Sequence, residues 1–226
     1  MNDREKRIIA AMAGALLAVG SNAAAAEKAA TLDQYLMPDR NQEIALARSA
    51  APASLSADAT ILVLTPRGYE TAVEGRNGFS CLVERGWMAP FDGPDFLNPK
   101  LRAPVCYNPV AVHSHLPYVF NRTRLVLAGL DKDQIRAEIK KQVANNELPA
   151  PEIGAMSYMM SKTQDLGQPG HWHPHVMFHL PRTDASNWGA NLPGSLVMSD
   201  PTQETEPEPE TTFFVIVEKW SDGTRQ

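Results

Sequence analysis

The stretch Gly170–Pro181 reads GHWHPHVMFHLP and holds four of the chain's six histidines, His171, His173, His175 and His179. Imidazole is a ligand for zinc, copper, nickel and iron, so such a run is a candidate transition-metal site. In an extended chain the side chains alternate faces, which puts all four imidazoles on one side with Met177. Trp172, Val176 and Phe178 fall on the other side. That apolar side is expected to pack on the core, leaving the imidazoles on the opposite face. A helix would scatter the residues at 171, 173 and 175 around its axis, and Pro174 opposes a helix interior.

Distance limits the metal set. Residues two apart on a strand lie about 6.6 Å apart along its axis, near enough for two imidazoles to share an ion. Residues 171 and 179 would be about 26 Å apart, so a straight strand cannot supply three ligands. Two neighbouring histidines must act with a donor from another element, or Pro174 must bend the chain. His173 and His175 flank that bend and make the first pair. His171 joins them if the chain curls, and His179 lies farthest off. His113 and His115, in VAVHSHLP, are outside donors of which a helix would present at most one, and both also read as surface residues. The stretch itself contains no carboxylate. Zinc and copper are the candidate ions, and the thioethers of Met156, Met159 and Met160 lean toward copper unless they simply fill the core.

Stepping outward, the first residues set the expected compartment. MNDREKR is basic, Ile8–Gly20 is apolar but too short to span a bilayer, and SNAAAA ends in small residues. This order predicts a signal peptide over residues 1–26, hence a periplasmic or secreted protein. Removing it takes three of the 21 basic and two of the 26 acidic side chains. The remainder is acidic, which argues against nucleic acid as a partner. No later segment could span a membrane. Cys81 and Cys106 are expected to form a disulfide in an oxidising compartment, the alternative being two buried thiols.

The elements that must position the histidines read as follows. Residues 27–58 give a linker and a helix bounded by Pro38 and Pro52. Residues 59–226 form a single domain on which that helix packs. ATILVLTP, GYETAVEG and FSCLVERGW predict a three-stranded antiparallel meander, with turns at TPRG and at the Asn77-Gly78 pair. Residues 88–109 carry five prolines and are expected to be an irregular loop without a central strand. Residues 108–147 are helical: Asn108-Pro109 opens the first helix, a second stops at Gly129, and Asp131 with Gln134 caps a third. The Ile135, Ile139, Val143 stripe predicts that this last helix lies on the sheet. Residues 199–211 are acidic and proline-rich, expected as a mobile loop, and TFFVIVEKW is a final strand. The order predicts an α+β fold with a mostly antiparallel sheet and helices on one face.

His173-x-His175-x-x-x-His179 resembles the first cupin motif over seven residues, with a histidine where cupins place a glutamate; the cupin glycines and second motif are absent. GYETAVEGRNGF, MSYMMS, GHWHPHVMF, WGANLPGS and WSDGT together resemble a family of uncharacterised exported bacterial proteins. That resemblance implies export and supplies no activity.

No nucleophile motif, Walker pattern or dinucleotide glycine pattern is present, and the four tryptophans read as core or as a sugar-stacking platform. The sequence therefore supports two functions. One is an exported protein that handles a metal or uses it in a small hydrolytic or oxidative reaction. The other is a non-enzymatic envelope protein that binds a peptide, glycan or protein partner.

Overall fold

The computed structural model describes residues 30–167 and 172–226. The expected signal peptide and His171 lie outside them. Three helices come first: α1 (Leu32–Tyr35), α2 (Arg40–Arg48) and α3 (Ala53–Ser56). Asp39 caps α2 by accepting from the amides of Asn41 and Gln42; α2 stops at Arg48, within the expected Pro38–Pro52 bounds, and Pro52 caps the start of α3. Strands β1 (Thr60–Thr65), β2 (Gly68–Val73), β3 (Ser80–Glu84) and β4 (Ala103–Tyr107) follow. Then come α4 (Pro109–Ser114), α5 (Leu116–Leu127) and α6 (Lys132–Ala144). The chain closes with β5 (Ala155–Met159), β6 (His175–Pro181), β7 (Val197–Ser199) and β8 (Glu210–Ile216).

The strands form one mixed sheet, in the order β2-β1-β3-β4-β5-β6-β8-β7. The fold is α+β, but the expected meander is not formed. β1 and β2 make the expected hairpin at Pro66-Arg67. β3 then pairs with β1, in parallel, on the side away from β2. The Asn77-Gly78 pair therefore makes no hairpin. Asn77 spends its amide on Leu55 O and its side-chain oxygen on the Phe79 amide. Gly75 lies so close to the start of β1 that a Cβ would fall 2.1 Å from the Thr60 nitrogen. Those contacts carry the chain beneath β1 to its far side, and a returning strand makes a helical crossover unnecessary.

Residues 88–109 also depart from expectation, because β4 is a central strand containing Pro104. Its pairing with β5 is confined to Cys106 and Tyr107. Pro104 lies opposite Val83, outside that stretch, so on the β5 side its missing N–H costs no ladder bond. Cys81 and Cys106 are directly opposed on β3 and β4 and are joined by a disulfide.

Helices cover both faces of the sheet, not one. Ala47 of α2, with Ala50 and Ala51 just after it, packs on Ile61, Cys81, Val83 and Cys106. On the other face Ala111 of α4 and Leu116 and Val119 of α5 pack on Leu62, Leu82, Val105 and Tyr107. With both faces covered, β1 reads as a continuous apolar run. The ion pair between Glu43 of α2 and Arg85, 2.7 Å and fully buried, fastens α2 to the end of β3. The stripe of α6 packs on Leu125 of α5 and on Phe91 rather than on the sheet. A stripe so narrow fits a helix seam, not a sheet surface.

Residues 199–211, read from sequence as a mobile loop, include a short 3-10 helix at Pro201–Thr205 and the start of β8. Between these, Glu206 and Glu208 both pair with Arg122 of α5. Among the described residues no helix is long and apolar enough to cross a membrane.

Candidate metal centre

β6 alternates as period two requires, but its faces are the reverse of the expectation. His175, Met177 and His179 point inward, with His175 1% and His179 2% exposed, while Phe178 on the other face is 39% exposed. The inward face is the one roofed by α4 and α5. The outward face of β6 lies beyond the reach of α2, which packs only on β1, β3 and β4. Burial of the imidazoles is offset by hydrogen bonds to each, so hydrophobicity alone could not choose the face.

The expected pair does not converge. His173 precedes the strand, is exposed, and meets the Gln226 side chain through its Nδ1. His175 turns inward, where its Nδ1–H donates to His173 O at 2.8 Å. Its ring stands edge-on to Trp172 at 4.5 Å between centroids. Burial pulls its pKa down to about 4, so it stays neutral in ordinary buffers.

His179, the farthest of the four, is the one that joins a cluster. The others are His115 and Glu210, and one ligand atom from each lies within 4.8 Å of the other two. His115 occupies the joint between α4 and α5, where Pro117 in the first turn of α5 begins a new helix. His113, one turn-face away on α4, is exposed, so of the two only His115 joins. On β8, Thr212 is opposite His179 and Glu210 opposite Pro181, which sets Glu210 diagonally beside His179 on the inward face. The His115 Nδ1 lies 2.9 Å and the His179 Nδ1 3.3 Å from the Glu210 carboxylate. The two rings stack at 4.0 Å between centroids.

A surrounding shell orients these groups. Ser157 Oγ is 2.9 Å from His179 Nε2. Thr212 Oγ1 donates to Glu210 Oε1 at 3.2 Å. Beyond them the Tyr107 hydroxyl donates to the buried Glu84 carboxylate. Burial opposes the charge on Glu210, but the adjacent His115 and His179 outweigh it and hold its carboxyl below the usual range. Burial likewise works against protonated His115, yet Glu210 outweighs it and raises the pKa. His179 goes the other way: burial first, then repulsion from His115, lowers it despite Glu210. Of the two imidazoles, His115 is therefore the one that holds a proton more readily.

The cluster fits a metal. Two imidazoles and one glutamate are the donor set of a three-ligand zinc site, with bonds of about 2.0–2.2 Å and hence donors about 3.3 Å apart. The 2.9 and 3.3 Å separations at Glu210 need little adjustment. All three residues also line a cavity of about 690 Å³, within the range of small-molecule sites. Glu210, Ser157 and Thr212 were missed from sequence. The available signal was the alternation of Glu210, Thr212 and Phe214 at the start of the final strand, which puts a carboxylate on one face.

No family model, curated protein or solved structure matches the chain.

Proposed function

We propose that this is an exported protein whose His115, His179 and Glu210 hold one transition-metal ion, zinc by preference over copper, beside a ligand cavity. The observation that carries this reading is the convergence of two imidazoles and a carboxylate from three separate elements to within 4.8 Å. The contact between Ser157 and His179 supports it. A metal-bound imidazole usually donates its other N–H to a fixed partner, and Ser157 stands at the other nitrogen of His179. A serine hydroxyl can donate or accept, so it serves either tautomer of that ring. Zinc in such a set keeps a coordination position for water or substrate, where it lowers the pKa of water or polarises an oxygen. The protein's share is to hold the ring orientations and to supply the cavity. A mixed imidazole and carboxylate set favours zinc, whereas soft thioethers would favour copper.

Calorimetric titration of the untagged, metal-stripped protein with zinc tests this. One ion per chain, lost in His179→Ala and Glu210→Gln, is expected. Absence of binding by the folded protein returns the chain to the reading as an envelope protein that binds a peptide, glycan or partner. Export rests on the N-terminal sequence, and the disulfide is compatible with it. Fractionation of a bacterial host and N-terminal sequencing test it, with Glu27 the expected first residue.

A further inference from the structure

The cavity has two unlike ends, and they lie along one strand. His175 and His179 share the inward face of β6, about 13 Å apart for four residues of extended chain. At the first end, Trp172 stands edge-on to His175 at 4.5 Å and to Phe214 at 5.8 Å between centroids. His175 is neutral and its Nδ1–H is already donated to a backbone carbonyl. This end offers ring faces and an uncharged imidazole. Between the ends the lining is thioether: Met88, Met159, Met177 and Met198 all face the cavity. Methionine is flexible and polarisable, so such a wall adapts to an apolar body.

At the second end are the metal cluster and Arg122. A guanidinium has five N–H donors, and here all are engaged. Nε and Nη2 go to Glu208, Nη2 also to Glu206, and Nη1 to the carbonyls of Trp87 and Ala89. The cavity's one guanidinium therefore has no donor left for a ligand's anion. Glu206, Glu208 and Glu210 further oppose a negative group. Glu84, Asp95 and Asp200 also line the cavity, so its wall as a whole is acidic and a ligand with a negative charge is disfavoured.

We propose that the cavity binds an elongated organic molecule that carries no negative charge. Its aromatic or alkyl body lies against Trp172, Phe214 and the methionines, and a hydroxyl or carbonyl oxygen reaches the His115–His179–Glu210 end. The placement of that oxygen rests on the metal reading; the body's placement does not.

The test is binding of 4-phenyl-1-butanol to the folded full-length protein, metal-stripped and zinc-loaded, by calorimetry. Its anionic counterpart, 4-phenylbutanoate, is compared. The alcohol is expected to bind both forms saturably, more tightly with zinc, and about tenfold or more better than the carboxylate. Trp172→Ala should weaken it by about tenfold. Met88→Trp, which narrows the cavity from a partly exposed position, should abolish it in a protein that still unfolds cooperatively. No saturable binding to either form, or a preference for the carboxylate, overturns the proposal. Alcohol binding that persists in a protein that takes up no zinc overturns the metal reading alone and leaves the apolar end standing.

Discussion

His115 and His179 stack with ring centroids 4.0 Å apart, and both direct Nδ1 at the Glu210 carboxylate. Two imidazoles held this close repel if both are protonated. A proton on one ring and a metal ion at the cluster would therefore compete.

That competition gives the first prediction. Glu210 raises the His115 pKa above its ordinary 6.5, so below that pH the ring mostly holds a proton that an incoming ion must displace. At about pH 6 zinc binding should release about one proton per ion, and affinity should fall as pH drops. Calorimetry in buffers of differing ionisation enthalpy measures the release. A heat independent of buffer would contradict it.

Ser157 would act on a bound ion through His179. Ser157→Ala should weaken zinc by about 10–100-fold with the stoichiometry unchanged. Equal affinity in the variant and the parent would remove Ser157 from the shell.

His175 makes stability pH-dependent by a separate route. Its folded pKa of about 4 lies below the ordinary 6.5. Between those values the unfolded chain binds a proton that the folded chain does not, so folding weakens as pH falls through that window. The loss should be about 3 kcal/mol, complete below about pH 4. Urea denaturation of His175→Gln against the parent at pH 7 and pH 4 checks this: the variant should lack this part of the acid limb. Parallel profiles would be the contrary result.

The Cys81–Cys106 bond joins positions separated by 25 residues. The double variant Cys81→Ala, Cys106→Ala should lose about 3.5 kcal/mol of stability in urea, on the chain-entropy account. Arg122→Ala leaves Glu206 and Glu208 with no countercharge and should cost about 3 kcal/mol. In either case, an unchanged denaturation midpoint would rule out the role given.

How far the sequence leads depends on how local each determinant is. Asp39, Asn108 and Asp131 announce their helices because a cap acts within one turn. Pro66-Arg67 announces its hairpin for the same reason. The place of β3 beside β1 depends on where Asn77 and Gly75 find partners, and those lie near Leu55 and Thr60. The alternation of β6 was legible, but its inward face was not, because that choice belongs to α4 and α5. The cluster itself joins His115 to a glutamate 95 residues later. No spacing rule reaches so far, and Glu210 sits beside acidic and proline residues that read as a loop.

The most direct measurement is X-ray absorption at the metal edge of the zinc-loaded protein, with stoichiometry for a set of variants. The account expects one ion per chain bound by two imidazole nitrogens and a carboxylate oxygen. That ion should be lost in His115→Ala, His179→Ala and Glu210→Gln and kept in His113→Ala and His173→Ala. An ion held by His173, or a folded protein that takes up none, would contradict it.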